Sequence, residues 1–124
     1  MNVTLWIIAG LLAAAFFAAG TMKLTTPRAA LADKMHWVNH ATDAQVKLVG
    51  LVEVLGAIGL VLPAIVDIAP VLVPLAAIGL ALTMVGAVVV HLRDGEGFAA
   101  AMPAIVLGLL CVVVAWGRLG PYAF

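Results

Sequence analysis

Four long apolar stretches, separated by short polar or proline-containing segments, dominate the chain. They cover about 3–22, 46–62, 70–91 and 98–116. Each stretch is continuously apolar rather than alternating, which argues against the strands of an outer-membrane barrel. A helix needs about 20 mainly apolar residues to cross a bilayer, and it satisfies its own backbone hydrogen bonds in lipid. The pattern therefore predicts an all-α fold, a polytopic integral membrane four-helix bundle, with 1–124 as a single domain.

The ends of these stretches carry their own signals. The sequence Ala-Ala-Gly at 18–20 resembles a signal-peptide cleavage site. The two residues before the first stretch lack a positively charged side chain, however, and the stretch is long enough to span, so we expect a retained helix. Pro63 is expected to close the second helix. Pro70 and Pro74 fall near the start of the third, where a missing N–H costs least.

The connection over 25–45 is the only long one. One face of this segment carries Leu31, Met35 and Val38, and the opposite face carries Asp33, His36, His40 and Asp43. This pattern predicts a short interfacial helix between helices one and two. Imidazole and carboxylate groups at this spacing could also hold zinc or iron. Because no third histidine lies close in the sequence, we interpret the polar stripe as a water-facing surface and expect no metal site.

Composition narrows the class of protein further. Hydrophobic residues make up 66% of the 124 residues and charged residues 10%, with a mean hydropathy of +1.26. A soluble domain is about half apolar and a quarter charged. The composition thus excludes a soluble enzyme and a disordered chain, and the zero net charge gives no indication of nucleic-acid binding. The lone cysteine, Cys111, permits no internal disulfide.

The distribution of basic residues predicts an orientation. Those that border the first and third connections are Lys23, Arg28, Lys34, Lys47 and Arg93, whereas Arg118 lies at the opposite face. The positive-inside rule then places the long connection in the cytoplasm and both termini outside a cytoplasmic (inner) membrane. Trp6, Trp116 and Tyr122 would form an aromatic belt on the outer side, with Trp37 at the inner interface.

Several charged residues converge at one membrane face because successive helices alternate in direction. This group contains Lys23, Lys47, Glu53, His91 and Arg93, and we predict that it forms a ligand-binding site. Glu53 lies roughly 10 Å beyond Val46, within the hydrocarbon depth. An ionisable residue there usually faces the bundle interior and has a partner, for which Lys23 and His91 are candidates. A structural hydrogen bond and a ligand or proton site both remain open for Glu53.

Lys23 and His91 could each have a purely structural role instead of a functional one. Lys23 lies at a helix end, where it could extend to the interface or interact with the helix dipole. His91 could donate to a loop carbonyl, or exchange protons with a ligand near neutral pH. We find no flavin or nucleotide fingerprint and no pair of histidines within the spans for a haem, so we expect no bound cofactor.

These residues resemble the DoxX-like family of small four-helix bacterial membrane proteins. The matching segments are Gly20–Leu24 with Pro27, Lys47–Leu60 closed by Pro63, Met84–Ala87 leading to His91–Arg93 and Glu96, and Pro103 with Gly117–Arg118. The resemblance covers nearly the whole chain and is strongest around Glu53. It implies a four-helix bundle in the cytoplasmic membrane and a link to electron transfer, because namesake relatives look like subunits of thiosulfate:quinone oxidoreductase.

The leading functional hypothesis is a membrane protein that binds an amphipathic ligand, a quinone or other isoprenoid lipid, as the membrane subunit of a redox system with a redox partner protein. Enzymatic activity stays open; at most we predict a quinone-linked oxidoreductase subunit with Glu53 and His91 as catalytic residues. The alternatives are a small-molecule transporter or channel, a structural scaffold for a partner protein, and a cofactor-free isomerase. The Gly- and Ala-rich faces of the first and third helices lead us to expect a homo-oligomer.

Overall fold

A computed structural model describes residues 2–26, 30, 42–93, 95 and 97–123. Over these residues the chain forms four helices: α1 (Asn2–Thr25), α2 (Asp43–Ile65), α3 (Leu72–Arg93) and α4 (Gly97–Leu119). Each helix contains a stretch long and apolar enough to cross a membrane, which confirms the all-α membrane bundle. The predicted interfacial helix over 25–45, with its stripe of histidines and aspartates, lies largely outside the described residues.

A capping box starts α2 three residues earlier than the apolar pattern predicts. The Thr42 hydroxyl accepts a hydrogen bond from the Gln45 N–H at 3.1 Å, and the Gln45 side chain accepts one from the Thr42 N–H at 2.9 Å. Such a reciprocal pair satisfies two N–H groups that have no partner within the helix. These polar residues extend the helix beyond its apolar stretch, so hydropathy alone places the start too late.

The prediction that Pro63 closes the second helix is wrong. Pro63 is buried inside α2, which continues to Ile65. A proline removes the hydrogen bond of its own N–H, but later residues still have theirs, and the Val66 N–H donates to the Leu62 carbonyl at 3.0 Å. The reversal of direction comes afterwards, where Asp67 and Ala69 adopt the left-handed conformation. The third helix likewise begins at Leu72 rather than at residue 70.

The four helices form a ring in chain order. α1 packs against α2 and α4, and α3 packs against the same two helices. Buried residues recur every three or four positions along α1 and α2; in α1 they are Leu5, Ala9, Leu12, Phe16, Gly20 and Lys23. The outward faces remain strongly apolar, as at Leu11, Leu55 and Leu82. Such an apolar outer surface suits contact with lipid chains and not with water.

Two glycines allow α1 and α2 to approach until their backbones touch. A Cβ added at Gly20 would lie 2.6 Å from the Gly50 carbonyl oxygen, and one added at Gly50 would lie 2.8 Å from the Gly20 carbonyl oxygen. Small residues at membrane helix interfaces permit this close approach. The crossing point of α1 and α2 is therefore fixed by backbone atoms, which cannot move aside as a flexible side chain can.

Candidate functional site

A buried ion pair lies beside the glycine crossing. Lys23 Nζ of α1 is 2.7 Å from Glu53 Oε1 of α2, and the side chains are only 9% and 4% exposed. Both charges are thus withdrawn from the lipid into the bundle. The cost of removing two charges from water roughly cancels their attraction, so the pair adds little to the free energy of folding. Either charge buried without the other would be strongly destabilising. The pair therefore fixes the alignment of α1 against α2.

The direction of helical side chains explains why these two residues meet. Lys23 is in the last turn of α1, whereas Glu53 is the eleventh residue of the 23-residue α2, roughly 15 Å from its start. Helical side chains point toward the N-terminus of their own helix. Since α1 and α2 run in opposite directions, Lys23 leans into the bundle and Glu53 leans toward the end where Lys23 lies. The glycine crossing keeps the two backbones close enough for this contact.

The carboxylate of Glu53 retains capacity for a further hydrogen bond. Oε1 is fully buried and close to Lys23 Nζ, but it receives no aligned hydrogen bond from any of the described residues. A carboxylate oxygen can accept two hydrogen bonds. Glu53 Oε1 could therefore accept a hydrogen bond from a ligand hydroxyl while the electrostatic contact with Lys23 persists.

The register of α2 against α3 separates His91 from the ion pair. A Cβ added at Gly56 would lie 2.7 Å from the Leu80 side chain, and one added at Gly59 would lie 2.9 Å from Ala76. Continuing this antiparallel register places residue 83 level with Glu53. His91 is eight residues further along α3, which corresponds to about 12 Å along the helix axis. It is half-buried near the end of the bundle and has a contact of its own there.

The other two predicted binding residues lie on the surface. Lys47 is exposed and pairs with Asp43 of its own helix at 3.4 Å, the i,i+4 spacing that stabilises helices slightly. Arg93 is exposed in the last turn of α3. The structure therefore brings Lys23 and Glu53 into contact, and it leaves Lys47 and Arg93 nearer the end of the bundle.

A second buried cation, which the sequence analysis did not select, lies at the opposite end of the bundle. Arg118 of α4 is 5% exposed, and its Nη1 donates to Asn2 Oδ1 and to the Tyr122 carbonyl at 2.9 Å. Its guanidinium lies 5.7 Å from the centre of the Trp6 ring. Trp116 and Tyr122 meet edge to face at 6.1 Å. The aromatic residues predicted to form one belt thus do share an end of the bundle.

Replacing Arg118 with methionine is expected to destabilise this end of the bundle by about 2–4 kcal/mol. The change removes two hydrogen bonds from a charged donor, each worth about 1.5–3 kcal/mol, and it removes the cation–π contact with Trp6. The apolar methionine side chain keeps part of the packing and leaves no buried charge, which offsets part of this loss. The measurement is the free energy of unfolding in detergent micelles. Arg93→Met is the matched control, since Arg93 is exposed, and equal losses in the two variants would contradict the role of Arg118.

Metal-binding side chains do not cluster in the part of the chain that the structure describes. Among residues 2–26, 30, 42–93, 95 and 97–123, no three His, Cys, Asp or Glu side chains come together to hold an ion. The Asp33, His36 and His40 stripe lies outside those residues. The chemistry that the described site offers is therefore ionic and hydrogen-bonding, supplied by one ammonium group and one carboxylate within an apolar bundle.

Comparison with known proteins identifies one relationship. The family model described as the DoxX-like family matches residues 7–114, which includes both members of the ion pair and most of all four helices. No curated protein and no solved structure gives a significant match to the chain.

Proposed function

Because the chain belongs to the DoxX-like family of membrane proteins, we propose that its buried ion pair binds the polar head of an amphipathic ligand, a quinone or other isoprenoid lipid. The observation that carries the proposal is the Lys23–Glu53 contact, buried halfway along α2 with one carboxylate oxygen still able to accept a hydrogen bond. Ionisable residues within a membrane mark functional sites more often than not. An apolar pocket with a few converging polar groups is the usual design of a ligand site.

The two charges suit the two states of a quinone. The Lys23 ammonium can donate a hydrogen bond to a quinone carbonyl, and the Glu53 carboxylate can accept one from a quinol hydroxyl. Reduction of a quinone takes up two electrons and two protons. In this proposal a redox partner protein supplies the electrons, His91 takes up protons from water near the end of the bundle, and Glu53 passes them on to the ligand. Water molecules carry the protons over the roughly 12 Å between His91 and Glu53. The chain then acts as a membrane subunit of a redox system, in the cytoplasmic membrane and as a homo-oligomer.

A structural role is the second candidate, and the glycine crossing favours it. The ion pair lies where the backbones of α1 and α2 already touch. A pair in that place would set the alignment of the two helices in a scaffold for a partner protein. The two functions require different properties of Glu53. A scaffold requires only that Glu53 keep α1 and α2 aligned, whereas a ligand site requires that its carboxylate form a hydrogen bond with the ligand.

Glu53→Gln is expected to abolish ligand retention. Organic extraction of the purified wild-type protein, followed by mass spectrometry and a visible spectrum, is expected to yield a quinone or isoprenoid in stoichiometric amount. The glutamine variant should retain less than about a tenth of it. Asp43→Asn is the matched control, because Asp43 is an exposed carboxylate on the same helix, and it should retain the full amount.

The outcome separates the two candidates. A wild-type extract without an isoprenoid compound, together with a lower melting temperature for Glu53→Gln, would assign the ion pair to structure alone. Loss of the ligand in Glu53→Gln with helix content preserved by circular dichroism would support binding at the pair.

A further inference from the structure

The turn that joins α2 to α3 is apolar and exposed. Asp67 is the only charged residue over 64–72. The large apolar side chains that the turn exposes are Ile65, Val66, Ile68, Val71 and Leu72, of which Ile68 is the most exposed at 69%. A contiguous exposed apolar patch usually marks a contact with a membrane or with another protein. The turn is therefore an interaction surface, and its backbone and its depth indicate which kind.

The backbone of the turn forms hydrogen bonds with itself at a cost in strain. The Ile68 N–H donates to the Pro63 carbonyl at 3.0 Å, and the Leu72 N–H donates to the Ala69 carbonyl at 3.0 Å. Asp67 and Ala69 adopt φ angles of 52° and 50°, a conformation that costs a non-glycine residue roughly 1–2 kcal/mol. A turn in water could bond to water instead, whereas backbone groups next to lipid must be paired within the protein. Internal pairing in a strained conformation thus favours a turn that contacts lipid.

The lengths of α2 and α3 place the turn at the boundary of the hydrocarbon layer. Lys47 and Arg93 are exposed charged residues at the other end of these two helices, where they mark the opposite boundary. A hydrocarbon layer about 30 Å thick corresponds to about 20 helical residues. Counted from Lys47 along α2, that length ends at Asp67, and counted back from Arg93 along α3 it ends at Val73. Both estimates reach the turn, which therefore lies between the acyl chains and the lipid headgroups.

We propose that the α2–α3 turn is an interfacial anchor whose partner is the lipid bilayer. Ile65 and Ile68 insert among the upper parts of the acyl chains, while the carboxylate of Asp67 remains among the headgroups. The end of α4 lies at the same end of the bundle and carries the edge-to-face pair Trp116 and Tyr122. Aromatic residues of this kind are typical of the headgroup level. The aromatic pair on one side and the apolar turn on the other together set the depth and tilt of the bundle.

The size of the patch favours lipid over a protein partner. A stable protein interface takes about 20–30 residues from each side, whereas the turn offers five exposed apolar side chains. Insertion into a bilayer has no such minimum, because each apolar side chain that leaves water contributes separately, at roughly 25 cal/mol per Å². Ile68, as the most exposed of the five, is the side chain on which the proposal is tested.

The test measures the depth of a nitroxide spin label in phosphatidylcholine vesicles. Cys111 is fully buried, so a thiol-specific label attaches at an introduced cysteine. Ile68→Cys and Ile65→Cys place the label on the turn, at exposed positions that a label does not disrupt. Asp43→Cys is the control, because Asp43 is an exposed polar residue at the start of α2. Electron paramagnetic resonance then compares collisions with oxygen, which concentrates among acyl chains, and with a nickel chelate, which stays in water.

We expect the ratio of oxygen to nickel collisions to be at least about fivefold higher for the labels at Ile68 and Ile65 than for the label at Asp43. Equal ratios at Ile68 and Asp43 would place the turn in water and overturn the proposal. Low collision rates with both reagents at Ile68 would show that protein covers the turn, which overturns it as well. No ligand takes part in the measurement, so its outcome is independent of the proposed function.

Discussion

Replacing Lys23 with methionine is expected to lower the free energy of unfolding by about 3–5 kcal/mol, the usual cost of removing one partner from a buried ion pair. Methionine keeps the length and much of the apolar stem of lysine, so the loss reports the charge and not a cavity. Glu53 is left 3% exposed near the middle of α2, too far from either helix end for its short side chain to reach water. The measurement is reversible denaturation in detergent micelles or bicelles.

Two further variants make the measurement specific. Lys47→Met removes a lysine whose partner, Asp43, is exposed, and a surface pair of this kind contributes about 0–1 kcal/mol. The double variant Lys23→Met with Glu53→Gln should recover most of the stability, because a neutral pair leaves no unpaired charge inside the bundle. If the Lys23→Met and Lys47→Met proteins have the same free energy of unfolding, the buried pair contributes little to the stability of the bundle.

Replacing Gly20 with valine is expected to cost about 3 kcal/mol or more, at the upper end of the range for overpacked interiors. The first side-chain atom would lie 2.6 Å from the Gly50 carbonyl oxygen and 2.9 Å from the Val54 nitrogen, both of which are backbone atoms. Backbone cannot adopt another rotamer, so α1 and α2 must separate. Lys23 and Glu53 then lose their contact as well, which makes about 3 kcal/mol a lower bound. The readout is the melting temperature in detergent.

Gly10 provides the matched control on the same helix. A Cβ at Gly10 has no neighbour within 4 Å, and valine is a better helix former than glycine. Gly10→Val should therefore match or exceed the wild-type melting temperature. Equal melting temperatures for the Gly10 and Gly20 variants would contradict the backbone contact between α1 and α2.

The contrast between Glu53 and Arg118 shows what a sequence reveals about buried charge. Glu53 stands in the middle of an apolar stretch, so its burial and its need for a partner follow from depth alone. Arg118 stands at the end of a stretch, where an arginine is normally expected to reach the interface. Its burial depends on Asn2 and Trp6, which are more than a hundred residues away along the chain. No local pattern connects residues at that separation.

The partner of Glu53 could also be identified only from the tertiary structure. Alternation of the helices placed Lys23 and His91 at the same end of the bundle, and the sequence offered no reason to prefer one. The register set by Gly56 against Leu80 moves His91 about two turns away, and the glycine crossing brings Lys23 within 2.7 Å of Glu53. The small size of Gly20 and Gly50 between α1 and α2, and of Gly56 between α2 and α3, thus decided between the two candidates.

Hydropathy and length by themselves determined the class of this protein, its four helices and the membrane as its solvent, because each of these depends on sums over about 20 residues. The ends of the helices, the ion pair and the burial of Arg118 were decided only by the tertiary structure. Those features depend on which surfaces meet and at what register. In a bilayer, where apolar side chains gain little by leaving lipid, that choice is made by close backbone approach and by a few paired polar groups.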